Sequence, residues 1–210
     1  VVPALLFALA LPPAVHALVK NPVSLHKVVA GEEMIFEATV EKVDASKPAV
    51  YLRAGAALKG KAPFARMPIN MTGDSFAIKE KHPEQLMKRL APNMTVIVFA
   101  KKQGPGFLAF VYCNGTWFQM LGQGESAEQT KWSLNHGEPY LRRTFKGTTD
   151  ELKKALVDGL AGKALPALDE TAEPGFGPEV KPESKKEGDK PPLARSTYGP
   201  PFAVAPTMLL

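Results

Sequence analysis

Residues 34–43 (MIFEATVEKV) set Ile35, Glu37, Thr39 and Glu41 against Phe36, Ala38, Val40 and Lys42. A period of two carried by β-branched and aromatic residues predicts a strand. A turn over 44–48 leads to a second strand at 49–58 (AVYLRAGAAL) and a third at 64–71 (FARMPINM), which Pro68 assigns to an edge. In 82–90 (HPEQLMKRL) the early Pro83 and the spacing of Leu86 and Leu90 predict a short amphipathic helix stopped by Pro92. The runs 95–100 (TVIVFA) and 107–113 (FLAFVYC) are the most apolar and are expected at the centre of the sheet, joined by a glycine and proline turn over 101–106. Residues 116–121 (TWFQML) extend or follow them. A polar stretch over 122–130 then leads to 140–145. In 148–160 (TTDELKKALVDGL) a threonine cap, acids in the first turn and Leu152, Leu156 and Leu160 at intervals of four predict a helix, closed by Gly162.

Five to six short strands with one inserted helix and one C-terminal helix predict a mainly β (α+β) domain over 18–165, a small closed or partly open barrel. With the strand EATVEKV, a second strand running into Leu58-Lys59-Gly60, the apolar pair TVIVFA and FLAFVYC, and the terminal helix, the pattern resembles the OB-fold. More narrowly, it resembles the netrin-like variant of exported proteins. That resemblance implies a binding module. Netrin-like metalloproteinase inhibitors place an N-terminal cysteine on the target's zinc; this chain has no cysteine there and none of the stapling cysteines, so that activity does not carry over.

The ends differ from the middle. Residues 1–17 (VVPALLFALALPPAVHA) carry no charge; the short apolar run, the Pro12-Pro13 break and Val15-His16-Ala17 are expected to be the remainder of a signal peptide. This places the protein outside the cytoplasm, secreted, periplasmic or membrane-anchored. The chain holds 20 prolines in 210 residues, about twice the usual ~5%. Eight of them fall in 166–201 among alternating Lys and Glu, which predicts a disordered, solvated linker. The apolar 202–210 (FAVAPTMLL) is then expected to begin a transmembrane anchor, or else to be a short packing strand or frayed tail. The linker carries seven acids and five bases; removing that −2 from the whole-chain +5 leaves the domain near +7. A basic exported domain is suited to an unidentified protein or an anionic surface ligand.

Candidate chemistry is sparse. Cys113 is the only cysteine, so no intrachain disulfide forms, and at the end of an apolar strand it is expected to be a buried, inert thiol. The alternative is a thiol-dependent or hydrolytic enzyme with Cys113 as nucleophile and His136 as base. Residues 55–62 match GxxxxGK, but Ala62 stands where a Ser or Thr would hold Mg²⁺, Pro63 follows, and no long helix comes after it, so a strand-terminating turn is the better reading. The four histidines (His16, His26, His82, His136) have no metal-ligand spacing, and the carboxylates fall on strand faces and helix starts. No catalytic residue, metal or cofactor is assigned.

As a single-strand nucleic-acid binder, the domain would use Tyr112, Trp117, Phe118 and Trp132 with Lys101, Lys102, Arg142 and Arg143. Export argues against that partner, and Trp117-Phe118 can equally be core. The ligand-binding candidates are therefore Tyr112, Trp117, Trp132, Arg142 and Arg143. Asn70, Asn93 and Asn114 each begin N-x-T, a glycan acceptor pattern in a eukaryotic secretory protein; Asn114-Gly115 is also a turn dipeptide, the reading preferred here.

Overall fold

The structure, a computed structural model, describes residue 21 and residues 23–124, 126–127 and 129–181. The expected signal-peptide remnant at 1–17, most of the linker beyond 181 and the apolar 202–210 lie outside the described residues. Seven strands form one sheet: β1 (Met34–Asp44), β2 (Ala49–Lys59), β3 (Arg66–Asn70), β4 (Thr95–Gln103), β5 (Gly106–Cys113), β6 (Thr116–Gln123) and β7 (Lys131–Gly137). They close as a barrel in the order β1-β2-β3-β7-β6-β5-β4, with β1 and β4 completing the ring. Every pairing is antiparallel except β3 with β7, which runs parallel over only Ile69 opposite Trp132 and Asn70 opposite Ser133.

The alternation read in β1 sorts side chains between two cores. Phe36, Ala38 and Val40 point into the barrel with Val96, Val98, Val111, Cys113, Phe118 and Met120. Ile35 points outward and joins Ile97, Phe99, Tyr112 and Trp117 in a second buried layer. Helices α1 (Leu25–Gly31) and α4 (Thr149–Leu160) cover that layer with Leu25, Leu152 and Leu156. Strand β4 is thus buried on both faces, which is why 95–100 reads as a continuous apolar run. Each leucine so buried contributes about 1.5–3 kcal/mol. Helix α4 begins with a complete capping box: Thr148 Oγ1 accepts from Glu151 N, and the Glu151 carboxylate accepts from Thr148 N at 2.7 Å.

The structure corrects the expected barrel in several places. It has seven strands, not five to six. The missed strand is β7, whose inward and outward positions mix apolar Trp132 and Leu134 with buried Asn135 and His136, so that polar residues hide its period. Residues 139–143 form a 3-10 helix that starts at Pro139. Two short helices, α2 (Ser75–Lys79) and α3 (His82–Met87), stand where one was expected, and α1 precedes β1. Strand β3 is no edge. Met71 N donates to Pro48 O and Ala54 N to Ala65 O, which sets the parity so that Pro68, opposite Tyr51, turns its donorless nitrogen away from β2. Strand β7 joins only from Ile69 onward, so no hydrogen bond is lost.

Asn114 (φ 43°) and Gly115 (φ 79°) form the two-residue turn between Cys113 and Thr116, as the primed hairpin geometry demands. Asn114 also exchanges hydrogen bonds with Thr149 at the start of α4, its Oδ1 accepting from Thr149 N at 2.9 Å.

The solvated linker expected from Pro166 is instead packed on the barrel as far as Val180. Asp169 N donates to Arg143 O, Gly175 N to Pro139 O, Gly177 N to Thr116 Oγ1 and Val180 N to Lys88 O. Phe176 fills the space over Gly137, where a Cβ would lie 2.5 Å from its ring, and stands edge-on to His82 at 5.8 Å. Arg89 Cζ lies 5.6 Å from the Phe176 ring centroid, and its Nε donates to Gly177 O at 2.7 Å. Residues 166–180 therefore form a strap held by backbone hydrogen bonds and one aromatic anchor, which offsets the missing apolar content.

Candidate ligand-binding sites

Two cationic surfaces stand out, both on the outer side of the barrel and with no lining residue in common. The first follows from the outward positions of β2 and β3. Tyr51 and Pro68 are cross-strand partners on the outer face, and Tyr51 is half-buried. Arg66 Cζ lies 5.1 Å from the centre of its ring and Lys42 Nζ 5.8 Å, within cation–π range. Both cations are tethered, Arg66 to Glu41 and Lys42 to Asp44 at 2.6 Å, and the Lys42 hydrogen bond holds the Asp44 carboxyl far below the usual carboxylate range. Next to Tyr51 a groove of about 420 Å³ runs along the short β3–β7 seam, between the β1–β2 turn (Lys47, Pro48) and the approach to β7 (Thr130, Lys131). Its only charged lining residues are Lys47 and Lys131, and neither makes an ion pair among the described residues.

The second surface is lined by two of the five residues named from sequence, Arg142 and Arg143. A cleft of about 440 Å³ is walled by Arg142, Arg143 and Lys146, by Glu151 and Ala155 of α4, and by Pro166, Ala167 and Asp169 of the strap. Tyr112 and Trp117 are not in it; they are fully buried and hold its floor. The Tyr112 hydroxyl donates to Gly147 O, and Trp117 Nε1 donates to Phe145 O at 2.9 Å. Burial raises the Tyr112 pKa, so the hydroxyl stays a donor at every physiological pH. Lys146 pairs with Asp169 at 2.7 Å, and that hydrogen bond, joined by those from Thr171, pulls the Asp169 carboxyl down to about 2. Arg143 donates from Nε to Ala172 O at 3.1 Å and lies over Tyr140. Arg142 is half-buried, with Nη1 about 3.4 Å from the Cβ position of Gly115, and no hydrogen bond or ion pair reaches it from the described residues.

Of the remaining sequence candidates, Trp132 is among the residues lining the Tyr51 groove, although it is almost fully buried. Trp132 is buried in the barrel, edge-on to Phe64 at 5.0 Å, and its Nε1 has no hydrogen-bond partner among the described residues. Phe118 is fully buried. With Tyr112, Trp117 and Phe118 inside, none of these rings offers a face on which a base could stack. Lys101 is tied to Glu32 at 3.2 Å and does not reach either cationic surface.

Cys113 lies in the barrel core with Sγ 3.8 Å from Arg89 O, and burial pushes its thiol up to about 11, so little thiolate forms near neutrality. His136 is fully buried; its Nε2 contacts Glu138 Oε1 at 2.8 Å, and its Nδ1 has no partner among the described residues. His82 accepts at Nδ1 from Gly137 N. Among the described residues, no three His, Cys, Asp or Glu side chains are grouped to hold a metal, and no helix is long and apolar enough to cross a membrane. Compared with known proteins, the chain matches no family model, no curated protein and no solved structure.

The sequence reading missed Tyr51, Lys47, Lys131 and Arg66. The signal was present: Tyr51-Leu52-Arg53 in one strand and Arg66-Met67-Pro68 in the next each place a polar or aromatic residue on alternate, outward positions. What was missing was the register that sets Tyr51 opposite Pro68.

Proposed function

We propose that this is a non-enzymatic, extracytoplasmic binding domain of OB-like and netrin-like kind, and that it takes an anionic surface polymer in the Tyr51 groove. The observation that carries the reading is an acid-free groove with uncommitted Lys47 and Lys131 at its rim and an aromatic wall at Tyr51. Its place supports the fold resemblance, since OB barrels bind through the face of their second and third strands and the flanking loops. The raised thiol pKa of Cys113 and its place in the core weigh against the thiol-enzyme alternative.

The experiment is titration of the described domain with a fluorescent heparin oligosaccharide, and in parallel with a single-stranded oligonucleotide, at two salt concentrations. Tight, salt-sensitive binding of the polysaccharide that weakens about tenfold in Tyr51→Ala and in a Lys47→Gln/Lys131→Gln double variant is expected. Preference for the oligonucleotide would move the reading to the nucleic-acid alternative. Binding unaffected by all three substitutions would remove the groove.

A further inference from the structure

The Arg142 cleft stands apart from the Tyr51 groove in lining residues and in chemistry, and the argument for it does not rest on the function just proposed. Five charged side chains line it: Arg142, Arg143 and Lys146 against Glu151 and Asp169. Three are already committed. Lys146 and Asp169 form an ion pair, and Glu151 accepts from the backbone of Thr148 at the α4 cap. Glu151 keeps its charge, so the lining sums to +1, and among the described residues neither guanidinium pairs with a carboxylate. Arg143 spends one donor, Nε, on Ala172 O; Arg142 spends none.

A half-buried guanidinium with no acceptor is costly, because it gives up hydration without recovering the hydrogen bonds. Lysine escapes this by reorienting a flexible stem, whereas the planar arginine fork is preorganised for an oxyanion. Arg142 passes close to two backbone turns, its Nη1 3.4 Å from the Cβ position of Gly115 and its Cδ 4.0 Å from that of Gly175 in the strap. The fold also holds the floor rigid: Tyr112 and Trp117 fix the backbone carbonyls of Gly147 and Phe145 from the second core. Such fixed walls around an unmatched charge are the features of a site that awaits a ligand.

We propose that this cleft binds a tetrahedral oxyanion of the phosphate class, held by Arg142 and Arg143 with Lys146 at its edge. The donors choose the class: a planar carboxylate is filled by one guanidinium fork, whereas phosphate has oxygens to accept from two. The cleft already shows how it treats an anion, since Asp169 sits at Lys146 as an internal occupant of its rim. A ligand that reaches Lys146 must displace or share that carboxylate, so the strap competes with it. The same phosphate chemistry can arrive free in solution or as an ester on a larger molecule.

The test uses the isotope-labelled full chain, followed by amide NMR while inorganic phosphate, phenyl phosphate and acetate are added at constant ionic strength. Saturable shifts at Gly115, Gly147 and Gly175 are expected with phosphate, at least tenfold tighter than with acetate. Arg142→Gln, which removes a side chain with no hydrogen bond or ion pair among the described residues, should weaken binding at least tenfold. Asp169→Asn should tighten it severalfold by removing the competitor. Phenyl phosphate binding as tightly as phosphate indicates an ester ligand, and phosphate alone indicates a free ion; both uphold the site. Shifts that do not saturate, acetate binding as tightly as phosphate, or full affinity in Arg142→Gln would overturn it. If Arg142→Gln is poorly folded, Arg143→Gln and the sign of the Asp169→Asn effect decide.

Discussion

At the Tyr51 groove the tethered cations, Arg66 and Lys42, sit on exposed strand faces next to their carboxylates, and the free ones, Lys47 and Lys131, project into solvent. At the Arg142 cleft the tethered cation is the exposed one, Lys146, while the unmatched Arg142 is half-buried beside turn and strap. Exposed ion pairs contribute little to stability, so the groove's charges are there at almost no energetic cost and their removal should leave the fold intact. The cleft is different, because its geometry depends on side chains that also build a core. Charge alone therefore does not distinguish a ligand site; what distinguishes the two is how much of the fold must move when the site is altered.

That difference can be tested from the cleft side first. Trp117→Ala removes a fully buried indole shared by the second core and the cleft floor, and urea denaturation should show a loss of about 3–5 kcal/mol. Next comes Phe176→Ala. The half-buried ring anchors the strap over Gly137 and His82, and its loss should cost about 1–2 kcal/mol, a fraction of full burial, with amide exchange rising at Gly175, Gly177 and Val180 but not in β2 or β3.

Acidification gives a third contrast. Burial, and then the nearby His136, lowers the His82 pKa, so the folded state favours the neutral ring that accepts from Gly137 N. A base depressed in the folded state gives stability that is full above its unfolded pKa of about 6.5 and is lost as pH falls below it. Melting temperatures between pH 8 and 5 should decline in the wild type and flatten in His82→Gln, while groove affinity, corrected for unfolding, stays level. An equal decline in His82→Gln would assign the acid response to another group. The smallest effect on the fold belongs to Tyr51→Ala, within about 0.5 kcal/mol, as usual for a surface substitution, although groove affinity should fall about tenfold. A loss of several kcal/mol there would show that the Tyr51 stack supports the barrel.

Much of the barrel was legible because local and global preferences agree. β1, β4, β5 and α4 each carry a clean period or a cap, and the structure places all four as strands or helix at nearly the expected bounds. β7 was hidden because Asn135 and His136 are buried with hydrogen-bonding partners of their own, Gln119 and Glu138, and buried polar pairs break the pattern on which periodicity depends. The strap was misjudged for a related reason. Its composition predicts solvation, and only the distant acceptors Arg143 O, Pro139 O, Thr116 Oγ1 and Lys88 O, unreadable in one dimension, give its backbone somewhere to bond. At the cleft, Arg142 and Arg143 were found by residue type, whereas Tyr112 and Trp117 were chosen as stacking faces and turned out to be its supports.

The short parallel seam between β3 and β7 also orders events in time. A chain synthesised from its N-terminus can pair β1 with β2, β2 with β3 and β1 with β4 as each emerges, but the ring stays open until Trp132 and Ser133 arrive to meet Ile69 and Asn70. Until then Met67 and Ile69 on the nascent β3 lack their last neighbour, and a holding chaperone would find them there. Closure is thus a long-range step, open to the emerging chain only after the partners of every strand pair but those of β7 have emerged.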